Sequence, residues 1–106
     1  MAEKILTIKD KTDDFELLAL KYKALADPKR LEILNKICLK NSACVCDLME
    51  EMEIPQSKLS YHLKILLTAG LLNKETKGTW SFYSINQKQM DQLISKQICN
   101  VITPSC

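Results

Sequence analysis

ACVCDLMEEMEIPQSKLSYHLKILLTAGLL, residues Ala43–Leu72, decides the fold. It opens on two cysteines one residue apart, Cys44 and Cys46, and then turns acidic. Val45, Leu48, Met49 and Met52 recur at the i, i+3, i+4, i+7 spacing of an amphipathic helix. Pro55 ends that helix, because the residue before a proline is pushed out of the helical region. Ser57 is a candidate N-cap for a second helix that turns Leu59, Leu63, Leu66 and Leu67 inward, and Gly70 stops it in the left-handed region. Two short helices joined by a tight turn make a helix-turn-helix.

Upstream, Phe15, Leu18, Tyr22 and Leu25 predict a first amphipathic helix of roughly three turns. Asp27-Pro28 starts another, with Asp as N-cap and Pro at the first helical position. Its apolar side is Leu31, Leu34 and Cys38, flanked by Ile33 and Ile37. Asn41-Ser42 closes it and is expected to cap the next helix. Downstream of Gly70 the period changes to alternation. Residues 72–76 and 79–85 flank Lys77-Gly78, which predicts a hairpin. Asn86, with Gln89 three residues on, then caps one last helix with Met90, Leu93, Ile94 and Ile98 inward. The expected architecture is mainly α with a small β-hairpin, in the order α-α-α-α-β-β-α: a winged helix-turn-helix. It forms one domain over residues 1–106, with an arm over 1–14 and a tail over 99–106.

At 106 residues and a net charge of +2, the total charge is only weakly basic. The distribution says more. Asp47, Glu50, Glu51 and Glu53 fall between Cys44 and Pro55 with no Lys or Arg. Lys58, Lys64, Lys74 and Lys77 follow against a lone Glu75, as a DNA-facing surface requires. No secretory leader and no membrane-length apolar run stand out, so a cytoplasmic location without membrane contact is expected. Five cysteines in such a chain read as metal-binding or redox-active rather than as structural disulfides.

KALADPKRLEILNKI (Lys23–Ile37), CVCDL (Cys44–Leu48), SKLSYHLKILLTAGLL (Ser57–Leu72) and KETKGTWSFYSIN (Lys74–Asn86) together resemble the ArsR/SmtB family of metal-responsive bacterial repressors. CVCDL is further similar to its arsenic-responsive branch. The resemblance implies a homodimeric repressor, not an enzyme, that leaves a palindromic operator when trivalent arsenic or antimony binds. No cofactor is expected for DNA binding itself.

With the leucines inward, Ser57, Lys58, Ser60, Tyr61 and Lys64 face out. By position in the family motif, Gln56, Ser57, Ser60 and Tyr61 resemble groove-contacting residues. Lys58 and Lys64 suit phosphates, which set register without reading sequence. The wing tip, Lys74, Lys77 and Gly78, would reach the flanking backbone or minor groove. His62 has two readings, a DNA contact, which is favoured, or packing beside the helix-turn-helix. One recognition helix supplies few contacts, so a dimer across a palindrome is the natural solution. The first and last helices carry the apolar stripes for it.

Cys44 and Cys46 are the candidate ligands. In a regular helix, residues i and i+2 point roughly 200° apart and cannot share one ion. Either Cys44 lies at or before the N-cap, or binding unwinds the first turn. A helix N-terminus also favours thiolate over thiol. Trivalent arsenic takes up to three thiolates, and relatives that carry a third cysteine three residues on are matched here by Met49. The third ligand is then Cys38, Cys99, Cys106 or an outside thiol, with Cys99 of either subunit, placed on a mobile tail, the favoured candidate. Cys38 itself reads as a buried core residue. An alternative is a thiol-redox or persulfide-responsive repressor that uses Cys38 and Cys99. A single histidine and a lone Asp91 near the chain's end argue against a zinc site there.

Overall fold

The computed structural model describes residues 11–104, and side chains from 14 onward. Among the described residues six helices, α1 (Lys11–Leu25), α2 (Pro28–Lys40), α3 (Val45–Met52), α4 (Gln56–Thr68), α5 (Gln87–Leu93) and α6 (Lys96–Ile102), accompany three strands. These are β1 (Ala43–Cys44), β2 (Leu72–Lys77) and β3 (Trp80–Ile85), ordered β1-β3-β2 and antiparallel throughout. This is a winged helix-turn-helix. The arm expected over residues 1–14 lies mostly outside the described residues, and 11–14 already belong to α1.

The core forms where α2, α3 and α4 bring their apolar sides together. Ile33, Leu34 and Ile37 of α2, Leu48 of α3, and Leu59, Leu63 and Leu66 of α4 are essentially inaccessible to solvent. Asp27 caps α2, its Oδ1 accepting the backbone N–H groups of Lys29 and Arg30 at 2.8 and 3.2 Å. Burial alone would raise the Asp27 carboxyl, but the Arg30 N–H, the Arg30 charge and the Lys29 N–H outweigh it and hold the pKa below its ordinary value. Gly70 takes φ +79°, and the Leu71 N–H turns back to the Leu66 carbonyl at 3.0 Å. That is how a C′ glycine closes a helix.

The structure revises several expected boundaries. The N-cap of α3 is Cys44, not Ser42, because Ser42 is drawn off into the approach to β1. The N-cap of α4 is Pro55, which contributes no side-chain cap bond, so Ser57 lies inside the helix. The hairpin turn falls at Gly78-Thr79, one residue later than Lys77-Gly78, since Lys77 pairs with Trp80. Of the α1 stripe, Phe15 and Tyr22 are 66% and 46% exposed while Leu25 is buried, with Ala24 buried beside it.

The single last helix is two. Ile94 is extended, and Ser95 restarts the chain as N-cap of α6, accepting the Ile98 N–H at 3.3 Å. The break rotates the faces, so Cys99 and Ile102 turn inward while Ile98 and Val101 are 52% and 74% exposed. Residues 99–102 therefore form helix rather than tail. The Asn35 side chain donates to the Ile102 carbonyl at 2.9 Å and ties α6 to α2.

Two stability changes test this packing by urea denaturation. Leu66→Ala should cost about 3 kcal/mol for a fully buried leucine, and Asp27→Ala about 1 kcal/mol for removal of a cap. Equal costs would contradict the assignment of Leu66 to the core and Asp27 to the rim.

Candidate sensor site and nucleic-acid interface

Cys44 holds three positions at once. It is the last residue of β1, where it pairs with Phe82 of β3. It is also the N-cap of α3, extended at φ −89° and ψ 170°. Its sulfur accepts the Asp47 N–H at 3.4 Å, while the Asp47 carboxylate accepts the Cys44 N–H at 3.3 Å. These reciprocal bonds form a capping box with sulfur in place of the usual hydroxyl.

Because Cys44 lies before the helix proper, its side chain is free of the helical phase that separates i from i+2. The Cα atoms of Cys44 and Cys46 are 5.4 Å apart and their sulfurs are joined as a disulfide. Of the two routes to a shared ion, the structure therefore takes the first: no unwinding is needed to bring the sulfurs together. Cys44 is buried and Cys46 exposed, so the pair is reached from the Cys46 side. Together with Asp47 they offer ligand atoms within 4.8 Å of one another, the one such group among the described residues.

Cys99 is not brought to this pair within the protomer. It is a free, buried thiol in α6. The Gln87 amide donates to its sulfur at 3.1 Å, and the Cys99 thiol points to Asp91 Oδ1 at 3.5 Å. An inward helical face, not a mobile tail, holds it there. Cys38 is buried in α2, and Cys99 forms no bond to it. Cys106 lies outside the described residues.

On α4, Gln56, Ser57, Lys58, Ser60, Tyr61 and Lys64 are all exposed, on the face opposite Leu59, Leu63 and Leu66. Lys74, Lys77 and Gly78 are exposed on the wing, with Gly78 at φ +62° in its turn. The Lys74 and Lys77 ammonium groups lie 5.9 and 5.6 Å from the Tyr83 and Phe82 ring centroids. These contacts hold the charges along the strand.

His62 is the exception and corrects the favoured reading. It is only 8% exposed, and its Nδ1 lies 3.1 Å from the Arg30 guanidinium. Arg30 in turn donates to the Ala24 carbonyl at 2.8 Å, so the pair bolts α4 to the α1–α2 corner. A histidine so placed packs beside the helix-turn-helix and presents little of its ring to solvent. Burial pushes its pKa down from 6.5; Asp27 opposes that shift, while Arg30, Lys58 and Lys29 reinforce it.

Sequence reasoning missed Asp47, although Cys44-x-x-Asp47 has capping-box spacing. It also missed a cleft of about 360 Å³ lined by Val45, Cys46, Met49, Gln56, Thr79, Trp80 and Ser81. Nothing local announces this cleft, because it joins α3, the start of α4 and the wing.

An exposed recognition helix beside a hairpin wing defines a DNA-binding module of the winged helix-turn-helix class. A family model described as bacterial regulatory protein, arsR family, matches residues 27–74. The arsenical resistance operon repressor of Bacillus subtilis (strain 168) is 58% identical over 79 residues, covering 74% of this chain and 75% of that protein. The crystal structure of NolR from Sinorhizobium fredii superposes with a TM-score of 0.71 at 26% identity, over 89% of this chain and 92% of that one. The homodimeric winged helix-turn-helix domain of Mb0332 from Mycobacterium bovis shares the fold, with a TM-score of 0.69 at 22% identity over 82% and 80% of the two chains. The chain belongs to the arsR family of bacterial regulatory proteins. It is a transcriptional regulator by family, not an enzyme.

The His62 contact sets a pH dependence. The unfolded chain takes up the proton more readily than the folded one, so stability falls as pH drops through 6.5 toward the depressed folded value. Urea midpoints at pH 7.5 and 5.5 should differ for the wild type and differ less for His62→Gln, whose amide still accepts from Arg30. An equal loss in both proteins would place the titration elsewhere.

Proposed function

We propose that the chain is a cytoplasmic, homodimeric repressor that binds a palindromic operator and leaves it when trivalent arsenic or antimony is captured by Cys44 and Cys46. The observation that carries this is the convergence of the two sulfurs at the start of α3, one short turn before the recognition helix. The reduced pair offers two thiols, and Asp47 offers a carboxylate rather than a third sulfur. That donor set fits a thiophilic trivalent element taking two protein bonds, with its third position filled from outside the chain rather than by Cys99. The Bacillus subtilis relative is named for arsenical resistance, which supports an arsenical as the inducer.

In this reading Gln56, Ser57, Ser60 and Tyr61 enter the major groove, Lys58 and Lys64 meet phosphates, and Lys74, Lys77 and Gly78 touch the flanking DNA. The dimer covers Phe15 and Tyr22 of α1 with Ile98 and Val101 of α6, which stand exposed in the single chain. Mb0332, which shares this fold, is described as homodimeric, which supports a dimer but not its particular faces.

Capture alters the capping box. The Cys44 sulfur accepts the Asp47 N–H even while bonded to Cys46, so capture weakens the cap by moving that sulfur toward the arsenic, at a cost of about 1 kcal/mol for a broken cap. Two protomers supply about 2 kcal/mol, roughly thirtyfold in operator affinity if the whole of it falls on the DNA-bound state. Cys44 also pairs with Phe82, so the disturbance passes to the wing as well as to α3.

Fluorescence anisotropy on a palindromic operator tests these assignments. Arsenite should release the reduced wild type, Cys44→Ser and Cys46→Ser should stay bound, and Cys99→Ser should respond like the wild type. Loss of response in Cys99→Ser would restore it as a ligand from the partner subunit. Lys58→Ala should lower the slope of log affinity against log salt by about one for each phosphate that Lys58 neutralises. An unchanged slope would take Lys58 off the DNA.

A further inference from the structure

We infer that the sensor site favours organic arsenicals of the form RAs(OH)2 over inorganic arsenite, and that the cleft beside Cys46 receives the organic group R. This rests on the reading of Cys44 and Cys46 as the arsenic ligands and names the chemical class they take.

Two independent features point this way. The first is the count of sulfurs. Among the described residues the group around Cys44 contains two sulfurs and the Asp47 carboxylate. Within the protomer Cys99 of α6 is engaged by Gln87 and Asp91 of α5, and the position one helical turn beyond Cys46 is Met49, a thioether. Inorganic trivalent arsenic has three exchangeable positions, so such a site leaves one bond unmet by the protein. An arsenical with one carbon substituent has only two exchangeable positions. Condensation with the dithiol runs as RAs(OH)2 plus two Cys–SH giving RAs(S–Cys)2 plus two water molecules. Two As–O and two S–H bonds break, two As–S bonds form, and no oxidation state changes. The site is complete with two sulfurs.

The second feature is the space at the exposed end of the pair. Cys46 itself lines the cleft of about 360 Å³, and the rest of its wall is Val45 and Met49 from α3, Gln56 from α4, and Thr79, Trp80 and Ser81 from the wing. A thioether, an isopropyl group and an indole suit an aryl or alkyl group, and the volume exceeds what a methyl group fills. The indole is 57% exposed as it stands and gains cover from an apolar occupant. Occupancy has a mechanical consequence. The same cleft is bounded by the first residue of the recognition helix and by the tip of the wing, so a group seated there sets the spacing between the two elements that meet DNA.

The chain contains one tryptophan, Trp80, which makes occupancy visible without DNA. The full chain is reduced with a phosphine, desalted, and titrated with arsenite, methylarsonous acid and phenylarsine oxide. Operator release is read by anisotropy, and Trp80 emission is read in parallel. Release should require less methylarsonous acid than arsenite, and about tenfold less phenylarsine oxide than methylarsonous acid, in line with burial of an aryl ring. Trp80 emission should change with the phenyl compound and much less with arsenite.

Two variants separate the two features. Met49→Cys supplies a third sulfur and should bring arsenite to the potency of the methyl compound. Trp80→Ala should remove the phenyl advantage over methyl while leaving the methyl advantage over arsenite. Arsenite acting at the lowest concentration on the wild type overturns the inference. So do equal potencies for phenyl and methyl, or a Trp80 emission that ignores the phenyl compound. If Trp80 emission responds as expected but no compound releases the operator, the inducer mechanism fails while the cleft assignment stands.

Discussion

The structure depends on a single residue serving as strand end, helix cap and candidate ligand. Cys44 closes β1 against Phe82, starts α3 through its bond from the Asp47 N–H, and carries one of the paired sulfurs. A serine would cap α3 as well or better, so capping alone does not explain sulfur there. The thiol adds chemistry that a hydroxyl lacks. The cap and the strand pair both stand with that sulfur joined to Cys46, so a ligand that moves the sulfur would disturb the two in one event. The fold thus places the proposed chemical input on the hinge between its helical half and its wing.

Electrostatics keep the proposed input and output apart. The α3 surface and its C-cap carry Glu50, Glu51 and Glu53, and Glu51 is engaged by Lys40 at 2.7 Å and Lys36 at 3.9 Å. The Lys40 ammonium is held above its usual range, first by the Glu51 hydrogen bond and then by its charge. At an exposed site such a pair adds little stability. Its effect is on the field, because it draws α3 toward α2 and leaves the basic side chains of α4 and the wing unneutralised. His62, on the inner side of α4, is pushed toward its neutral form by burial, and the half-buried Arg30 beside it donates to the Ala24 carbonyl.

Much of this was legible in the sequence wherever the signal was local. Helical periods, Asp27-Pro28, Pro55 and Gly70 place α2 to α4 within a residue or two, because each feature acts on its own few neighbours. What escaped depends on residues distant in the chain. β1 exists only because β3 arrives to pair with it, so two residues at Ala43-Cys44 carried no strand signal of their own. The split between α5 and α6 turns on Ser95, whose cap competes with an otherwise unbroken apolar period. His62 sits among polar and basic neighbours in sequence, and only the approach of Arg30 from α2 shows which way it faces.

Two cysteines at i and i+2 of a regular helix cannot share an ion, and the fold meets that obstacle by placement rather than by strain. With Cys44 outside the helix, capture of a ligand need not melt a turn, and the binding energy is not spent on unwinding. The perturbation must then be small, local and applied where small shifts count. A cap worth about 1 kcal/mol meets that condition, and so does a strand pair of only two residues, Ala43 with Tyr83 and Cys44 with Phe82. Both are marginal elements attached to rigid ones: the fully buried leucines behind α4 on one side and the six-residue pairing of β2 with β3 on the other. If the pair senses as proposed, the packed elements behind α4 and the wing stay fixed, and the join between them is the part that can yield.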